Sequence, residues 1–310
     1  GYDPKLYYTG RGPLEAANLK VKLGSDEIAF RCNLITASGD KLIDYSAGHI
    51  SSKEASILIK FLNEKLGNEK IKFYPGTSYR HLLVIRDAGL INALKGLECI
   101  PPHDILGGSI TRNLPKGDAA DIILELMSKS RELLAGHEIN QVRIDLKENP
   151  ANMIWLWGQG VSPNLPKFKD KYDMTGSVIS AVDLIKGIGR LIGLDVLEVP
   201  GATGYYDTNY KGKADYAVES LKKKDFVFVH VESIDEASHN GDLRQKIAAI
   251  ENFDRFVVGG ILKHFKRYKN FRIAVLADHA TPISLRTHTD DPVFFAIYGK
   301  DIAPGNIKSF

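Results

Sequence analysis

The sequence has little of three features that mark large classes of protein. Its 310 residues include only 2 cysteines, Cys32 and Cys99, too few for a disulfide scaffold and without the spacing of a cysteine metal site. Its apolar runs are short, as at 273–277, whereas a membrane-spanning helix needs about 18 such residues or more. There is also no leader in which basic residues precede an apolar stretch. We therefore expect no membrane association, buried reduced cysteines and a cytoplasmic location.

The sequence also has no large excess of positive or negative charge. The chain has 41 Lys+Arg and 38 Asp+Glu, for a net charge of +3. This balance does not suit a protein that coats a polyanion, and no basic stripe accompanies Tyr205 and Tyr206, so nucleic acid is not an expected partner. The sequence has no G-x-S-x-G elbow and no phosphate-binding GKS or GKT loop, and the glycines of 187–193 miss the spacing of a dinucleotide fingerprint.

The order of apolar runs and helical patterns predicts the α/β class. In the first half, 54–66 and 119–134 have helical spacing and 81–86 is typical of a strand. The second half alternates apolar runs with helical patterns, at 153–157, 178–194, 195–199, 226–229, 248–263, 272–277 and 293–298. Such alternation predicts a parallel or mixed sheet covered by helices on both faces. Asn149-Pro150 marks a boundary between the halves.

Carboxylates and imidazoles follow the apolar runs of the second half. Asp235 and His239 come after 226–231, Asp278 and His279 come directly after 272–277, and His288 precedes 293–298. Open α/β sheets carry their sites beyond the carboxyl ends of the strands. This mixed set suits Zn²⁺ or Mn²⁺, and five donors exceed what one tetrahedral ion needs, which favours a two-metal site.

Each of these residues has a simpler interpretation when taken alone. An Asp and a His four residues apart on a helix are commonly a surface ion pair, and an isolated Asp-His dipeptide indicates nothing. Only the whole set, at successive strand ends, favours a metal site. His230 lies within the apolar run 226–231, and we interpret it as a core residue rather than a ligand.

The metal set resembles that of the alkaline phosphatase superfamily, and longer blocks narrow the resemblance. These blocks stand at 1–4, 8–16, 30–33, 46–49, 78–81, 200–210 and 285–289. Together they look like the archaeal-type, cofactor-independent (2,3-bisphosphoglycerate-independent) phosphoglycerate mutases, and the resemblance covers essentially the whole chain.

The resemblance implies an isomerase of glycolysis and gluconeogenesis. Such an enzyme interconverts 3-phosphoglycerate and 2-phosphoglycerate through a phosphoserine, with two divalent metal ions (Mn, Mg, Zn or Co). In that pattern Asp235, His239 and His288 hold one ion. Asp278 and His279 hold the second, together with a serine and an N-terminal aspartate. The partner is then a small-molecule phosphoglycerate, and the oligomeric state is left open.

The resemblance also implies a division of labour between two domains. Residues 1–20 and 151–310 are expected to form the metal-binding, phosphatase-like domain, and 21–150 an inserted, smaller α/β domain that holds the substrate. Arg31, His49, Arg80 and His81 are the candidate substrate ligands there, because cationic side chains bind carboxylate and phosphate groups. Each of the four could equally be a surface or structural residue.

The sequence departs from the family pattern at its start. The nucleophilic serine of the family precedes the segment that matches 1–4, and neither it nor the first metal-binding aspartate is in this sequence; Ser25 and Ser46 stand in the wrong context. We therefore expect this chain by itself to be inactive. Two alternatives stay open. One is a metal-dependent phosphohydrolase or phosphonate enzyme on the same scaffold, and the other is a non-catalytic metal- or phosphoglycerate-binding protein that has lost its nucleophile.

Overall fold

The computed structural model describes residues 2–265, 268 and 270–305. The chain divides into two compact units, Gly1–Leu165 and Pro166–Phe310, which are described in turn.

The first unit is built on an antiparallel sheet. Its strands are β1 (Glu27–Ser38), β2 (Lys41–Asp44), β3 (Ile71–Thr77), β4 (Arg80–Arg86) and β5 (Met153–Gly160). They follow the order β2-β1-β4-β3, and β5 pairs with β1 as well. The long strand β1 is therefore the centre of the sheet, and all but its last residue are buried.

Helices accompany the sheet of the first unit. They are α1 (Pro4–Tyr7), α2 (Arg11–Asn18), α3 (Ser52–Leu66), α4 (Ile91–Lys95), α5 (Ala120–Ala135) and α6 (Glu138–Asp145), with short 3₁₀ helices at Pro102–Ile105 and Thr111–Asn113. Ala16 of α2 packs against Ala29 of β1, whereas Phe30 belongs to the main core. Successive side chains of a strand point to opposite faces, so α2 and the main core lie on opposite faces of β1.

The second unit contains the parallel strands. Its strands are β6 (Gly176–Ile179), β7 (Asp195–Val196) and β8 (Phe226–Val229), in the order β7-β6-β8, and the antiparallel pair β9 (Arg272–Leu276) and β10 (Phe295–Gly299). Its helices are α7 (Phe168–Tyr172), α8 (Asp183–Leu191), α9 (Tyr210–Leu221), α10 (Ser233–His239), α11 (Leu243–Asn252) and α12 (Gly259–Phe265). A π-helical segment, Phe253–Val258, joins the last two.

The α/β class predicted from the sequence is confirmed, and β6 pairs in parallel with both β7 and β8. The helix predicted over 178–194 is wrong at its start, because Val178 and Ile179 lie in β6 and α8 begins at Asp183. The division into 1–20 with 151–310 and 21–150 stays a prediction; β5, which it assigns to the metal-binding domain, pairs with β1 of the first unit. Among the described helices, none combines the length and apolar content that crossing a lipid bilayer requires.

Candidate metal centre

The short helix α10 presents two of the predicted ligands side by side. It follows β8 directly, and Asp235 and His239 stand one turn apart on it. Asp235 Oδ2 lies 3.2 Å from His239 Nε2. The spacing of four residues places both side chains on one face of the helix.

The segment between β9 and β10 brings two further imidazoles to the same place. The ring of His288 stacks on that of His279 with centroids 3.7 Å apart. Potential ligand atoms of Asp235, His279 and His288 all lie within 4.8 Å of one another. The Thr289 amide donates to the Ala280 carbonyl, which ties the two ends of this segment together.

His239 and His288 meet through their Nε2 atoms, which are 3.0 Å apart. The Nδ1–H of His239 can donate to the Arg286 carbonyl, 2.9 Å away. In this tautomer the Nε2 atom of His239 carries no proton and has a lone pair available. His288 Nε2 then either donates a proton to this lone pair or binds one cation together with His239 Nε2. With a carboxylate oxygen beside them, these nitrogens form a donor set that suits a divalent cation, so the residues fit the predicted metal.

Thr281 connects two of the ligands and was missed by the sequence analysis. Its hydroxyl donates to Asp235 Oδ1 at 2.6 Å, and its oxygen lies 3.2 Å from His279 Nδ1. Because the hydroxyl proton goes to Asp235, the oxygen accepts from His279 Nδ1–H. The Nε2 atom of His279 then carries no proton and has a lone pair available. Residues that orient ligands in this way are typical of metal sites.

Asp278 lies at the edge of this group. Its Oδ2 atom is 3.5 Å from His279 Nε2 and 3.8 Å from His230 Nε2, and its side chain is 64% exposed. Burial lowers the pKa of His230, with the Asp278 charge acting in the opposite direction. The structure thus brings all five predicted ligands together in the second unit, and their division between two ions stays a prediction.

The predicted substrate ligands lie in the first unit, where the buried Arg31 pairs with a carboxylate. Its Nη1 is 3.0 Å from Glu15 Oε1, and its guanidinium lies over the Trp157 ring, 5.2 Å from the centroid. Burial lowers the pKa of Arg31 to about 10, against the opposing effect of Glu15. The side chain is therefore still cationic at neutral pH.

Arg80 and His81 are neighbours in β4 but point to opposite faces of the sheet. Leu82, two residues beyond Arg80, pairs with Arg31, so the two arginines share a face. His81 is buried, and its Nδ1 accepts from the Gly76 amide at 3.0 Å. Its Nε2 has no hydrogen-bond partner among the described residues. Burial, reinforced by the Arg31 and Arg80 charges, lowers the pKa of His81 to about 3.

His49 stands on the loop between β2 and α3. The Asp44 carboxylate accepts hydrogen bonds from the backbone amides of Ser46 and Gly48, and these bonds fix the path of the loop. His49 is exposed, has a φ of 51° and packs edge-on against Tyr79, with ring centroids 6.3 Å apart. The structure thus brings Arg31 and Arg80 to one face of the sheet, whereas His81 lies on the other face and His49 on a loop.

Comparison with known proteins points to one family. The family model of 2,3-bisphosphoglycerate-independent phosphoglycerate mutase matches residues 1–140. The chain is 55% identical to the mutase of that name from Methanosarcina barkeri, in an alignment of 302 residues that covers 97% of this chain and 75% of the relative. It is 50% identical to 2,3-bisphosphoglycerate-independent phosphoglycerate mutase 2 from Methanothermobacter thermautotrophicus, in an alignment that covers 100% of this chain and 76% of the relative.

Solved structures are similar as well. A protein from Pyrococcus horikoshii superposes with a TM-score of 0.76 at 31% identity, over 96% of this chain and 71% of its own. The cofactor-independent phosphoglycerate mutase from Thermoplasma acidophilum has a TM-score of 0.60 at 27% identity, over 98% of this chain and 75% of its own. The chain belongs to the 2,3-bisphosphoglycerate-independent phosphoglycerate mutases.

Proposed function

We propose that this protein interconverts 3-phosphoglycerate and 2-phosphoglycerate, at a centre in which the five residues of the second unit hold two divalent metal ions. The observation that carries the proposal is the convergence of His239 Nε2 and His288 Nε2, 3.0 Å apart, beside the Asp235 carboxylate. A surface ion pair between Asp235 and His239 alone would not require the second imidazole.

In the proposed centre Asp235, His239 and His288 hold one ion, and Asp278 and His279 contribute to the other. A bound divalent ion polarises phosphoryl oxygens and stabilises the charge that develops on them. The mixture of carboxylates and imidazoles favours Mn²⁺ or Zn²⁺, with Co²⁺ and Mg²⁺ as alternatives.

The protein's own contribution at this centre is orientation. The Arg286 carbonyl fixes His239, and the Thr281 hydroxyl fixes Asp235 and His279. Each contact sets a tautomer or a rotamer before an ion arrives, and such preorganisation keeps the donor atoms in place while charge moves on the substrate.

The substrate side of the proposal rests on the arginines of the first sheet. Arg31 and Arg80 share a face of the sheet, and arginine side chains carry a positive charge. We propose that they bind the carboxylate or the phosphate of phosphoglycerate, because guanidinium groups pair with both through two parallel hydrogen bonds. His49 and His81 stay predicted substrate ligands. A role in glycolysis and gluconeogenesis in the cytoplasm follows from the substrate and is part of this proposal.

The test is a mutase assay on the product of the intact gene, without 2,3-bisphosphoglycerate and with Mn²⁺ present. We expect 2-phosphoglycerate to form from 3-phosphoglycerate, and His239→Ala to abolish its formation with little loss of fold. His264→Ala is the matched control, since His264 packs against Phe265 and Tyr268 of the same unit. Near wild-type turnover in His239→Ala would reject the proposal. Inorganic phosphate released faster than 2-phosphoglycerate forms would instead support the phosphohydrolase alternative.

A further inference from the structure

His230 lies between Ser180, which follows a strand of the parallel sheet, and Asp278, one of the predicted metal ligands. It follows β8 directly, and its side chain is 16% exposed. Its Nδ1 lies 3.2 Å from Ser180 Oγ, and its Nε2 lies 3.8 Å from Asp278 Oδ2. Ser180 follows β6, the parallel neighbour of β8, and Asp278 comes two residues after the end of β9.

The hydrogen bonds of Ser180 indicate which ring nitrogen carries the proton. Ser180 is buried, and its Oγ accepts the Val182 amide at 2.9 Å. Its hydroxyl proton is then available to His230 Nδ1, which leaves the ring proton on Nε2, facing the Asp278 carboxylate.

The backbone of His230 is held at both of its polar groups. Its amide donates to the Ile179 carbonyl at 2.8 Å, and its carbonyl accepts from Lys213 Nζ at 3.0 Å. Lys213 is fully buried. The backbone of His230 is therefore held beside the end of β8, whereas the Asp278 side chain is largely exposed.

We propose that Ser180 and His230 together position the Asp278 carboxylate for metal binding. The proposal rests on the proposed function, in which Asp278 is a ligand. At 3.8 Å the His230 N–H attracts the Asp278 carboxylate without a direct hydrogen bond. This attraction favours positions of the side chain near the imidazole, which reduces the side-chain entropy that a largely exposed carboxylate loses when it binds an ion. Ser180 serves as a fixed hydrogen-bond donor here. A role as nucleophile does not suit a buried hydroxyl whose oxygen already accepts a backbone amide.

The test measures Mn²⁺ binding to the product of the intact gene by titration calorimetry, independently of any turnover. His230→Leu is expected to weaken binding by about 10- to 100-fold, the usual cost of losing an outer-shell partner. His230→Gln keeps an N–H donor and is expected to recover part of this loss. Ser180→Ala is expected to weaken binding to a smaller degree, whereas Ser180→Thr keeps the hydroxyl and is expected to bind as the wild type does.

A double-mutant cycle separates positioning from a general structural effect. In an Asp278→Asn background, His230→Leu is expected to cause no further loss, because its effect acts through Asp278. The same loss in both backgrounds would overturn the proposal. If His230→Leu fails to fold by circular dichroism, Ser180→Ala replaces it in the cycle.

The two proposals fail in different ways. Wild-type Mn²⁺ binding by folded His230→Leu, together with weakened binding by Asp278→Asn, would overturn positioning alone. Unchanged binding by Asp278→Asn would overturn both the positioning and the place of Asp278 in the metal centre.

Discussion

His239 Nε2 and His288 Nε2 face each other across 3.0 Å, and Asp235 oxygens lie 3.2 and 3.5 Å from them. The two histidines are far apart in the chain, and each belongs to a different structural segment. Because the Arg286 carbonyl accepts the other ring proton of His239, the two facing nitrogens either share one proton or bind one cation together. This relationship leads to the first prediction.

Addition of Mn²⁺ is expected to stabilise the chain, because the folded state binds the ion through a preformed donor set. At a Mn²⁺ concentration 100 times the dissociation constant, the gain is about 2.7 kcal/mol. Differential scanning calorimetry with and without Mn²⁺ measures it. His288→Ala is expected to lose most of the gain and His264→Ala to retain it. An equal gain in the two variants would contradict the assignment of His288.

Replacement of Thr281 tests the orientation of the ligands. Thr281→Val has nearly the same shape but loses the hydroxyl that contacts Asp235 and His279. We expect Mn²⁺ affinity to fall by roughly 10-fold or more. Thr281→Ser keeps the hydroxyl and is expected to bind as the wild type does. Calorimetric titration of the three proteins decides the matter, and equal affinities for all of them would show that the hydroxyl is not needed.

The arginines of the first sheet give a prediction about substrate. Arg80→Gln removes a cation from the face that carries Arg31, and we expect KM for phosphoglycerate to rise by roughly 10-fold or more, the scale of one hydrogen bond to a charged group. The matched control is Arg86→Gln, at the far end of the same strand, where Arg86 pairs with Glu27. Steady-state kinetics on the product of the intact gene compare them. The same rise in both variants would point to a general effect of charge.

His81 makes the stability of the first unit depend on pH. Its pKa in the folded state, about 3, lies below its ordinary value of 6.5, so the unfolded chain takes up the proton first. Above pH 6.5 His81 is neutral in both states and does not make the free energy of unfolding depend on pH. Below that value stability falls by up to about 1.4 kcal/mol per pH unit, until the folded state is protonated as well.

Urea unfolding at pH 7 and pH 5 measures this dependence. Both tryptophans of the chain, Trp155 and Trp157, lie in β5, so their fluorescence reports the first unit. His81→Gln cannot titrate in this range and is expected to lose less stability between the two pH values. Equal losses in the wild type and His81→Gln would show that His81 does not cause the dependence.

Some of the fold could be predicted because it depends on local patterns. The helix predicted over 119–134 is α5, Ala120–Ala135, and the strand predicted over 81–86 is β4, Arg80–Arg86. The prediction over 178–194 failed at its start. A short buried parallel strand is apolar throughout, so its pattern cannot be told from that of a buried helix, and β6 was joined to α8.

The candidate ligands were recognisable from the sequence, but the groups that hold them were not. Asp235, His239 and Asp278 follow apolar runs, and that order can be read from residue types alone. The Arg286 contact uses a backbone carbonyl 47 residues from His239, and such a contact leaves no motif. His230 was interpreted as a core residue. Its side chain is mostly buried, but it also contacts Ser180 and Asp278, which only the fold brings near it.

The most direct test of the metal centre is anomalous diffraction at the manganese absorption edge, from crystals of the chain grown with Mn²⁺. The account predicts an anomalous peak bounded by Asp235, His239 and His288. Manganese bound elsewhere on the chain, with no peak among these three side chains, would contradict it.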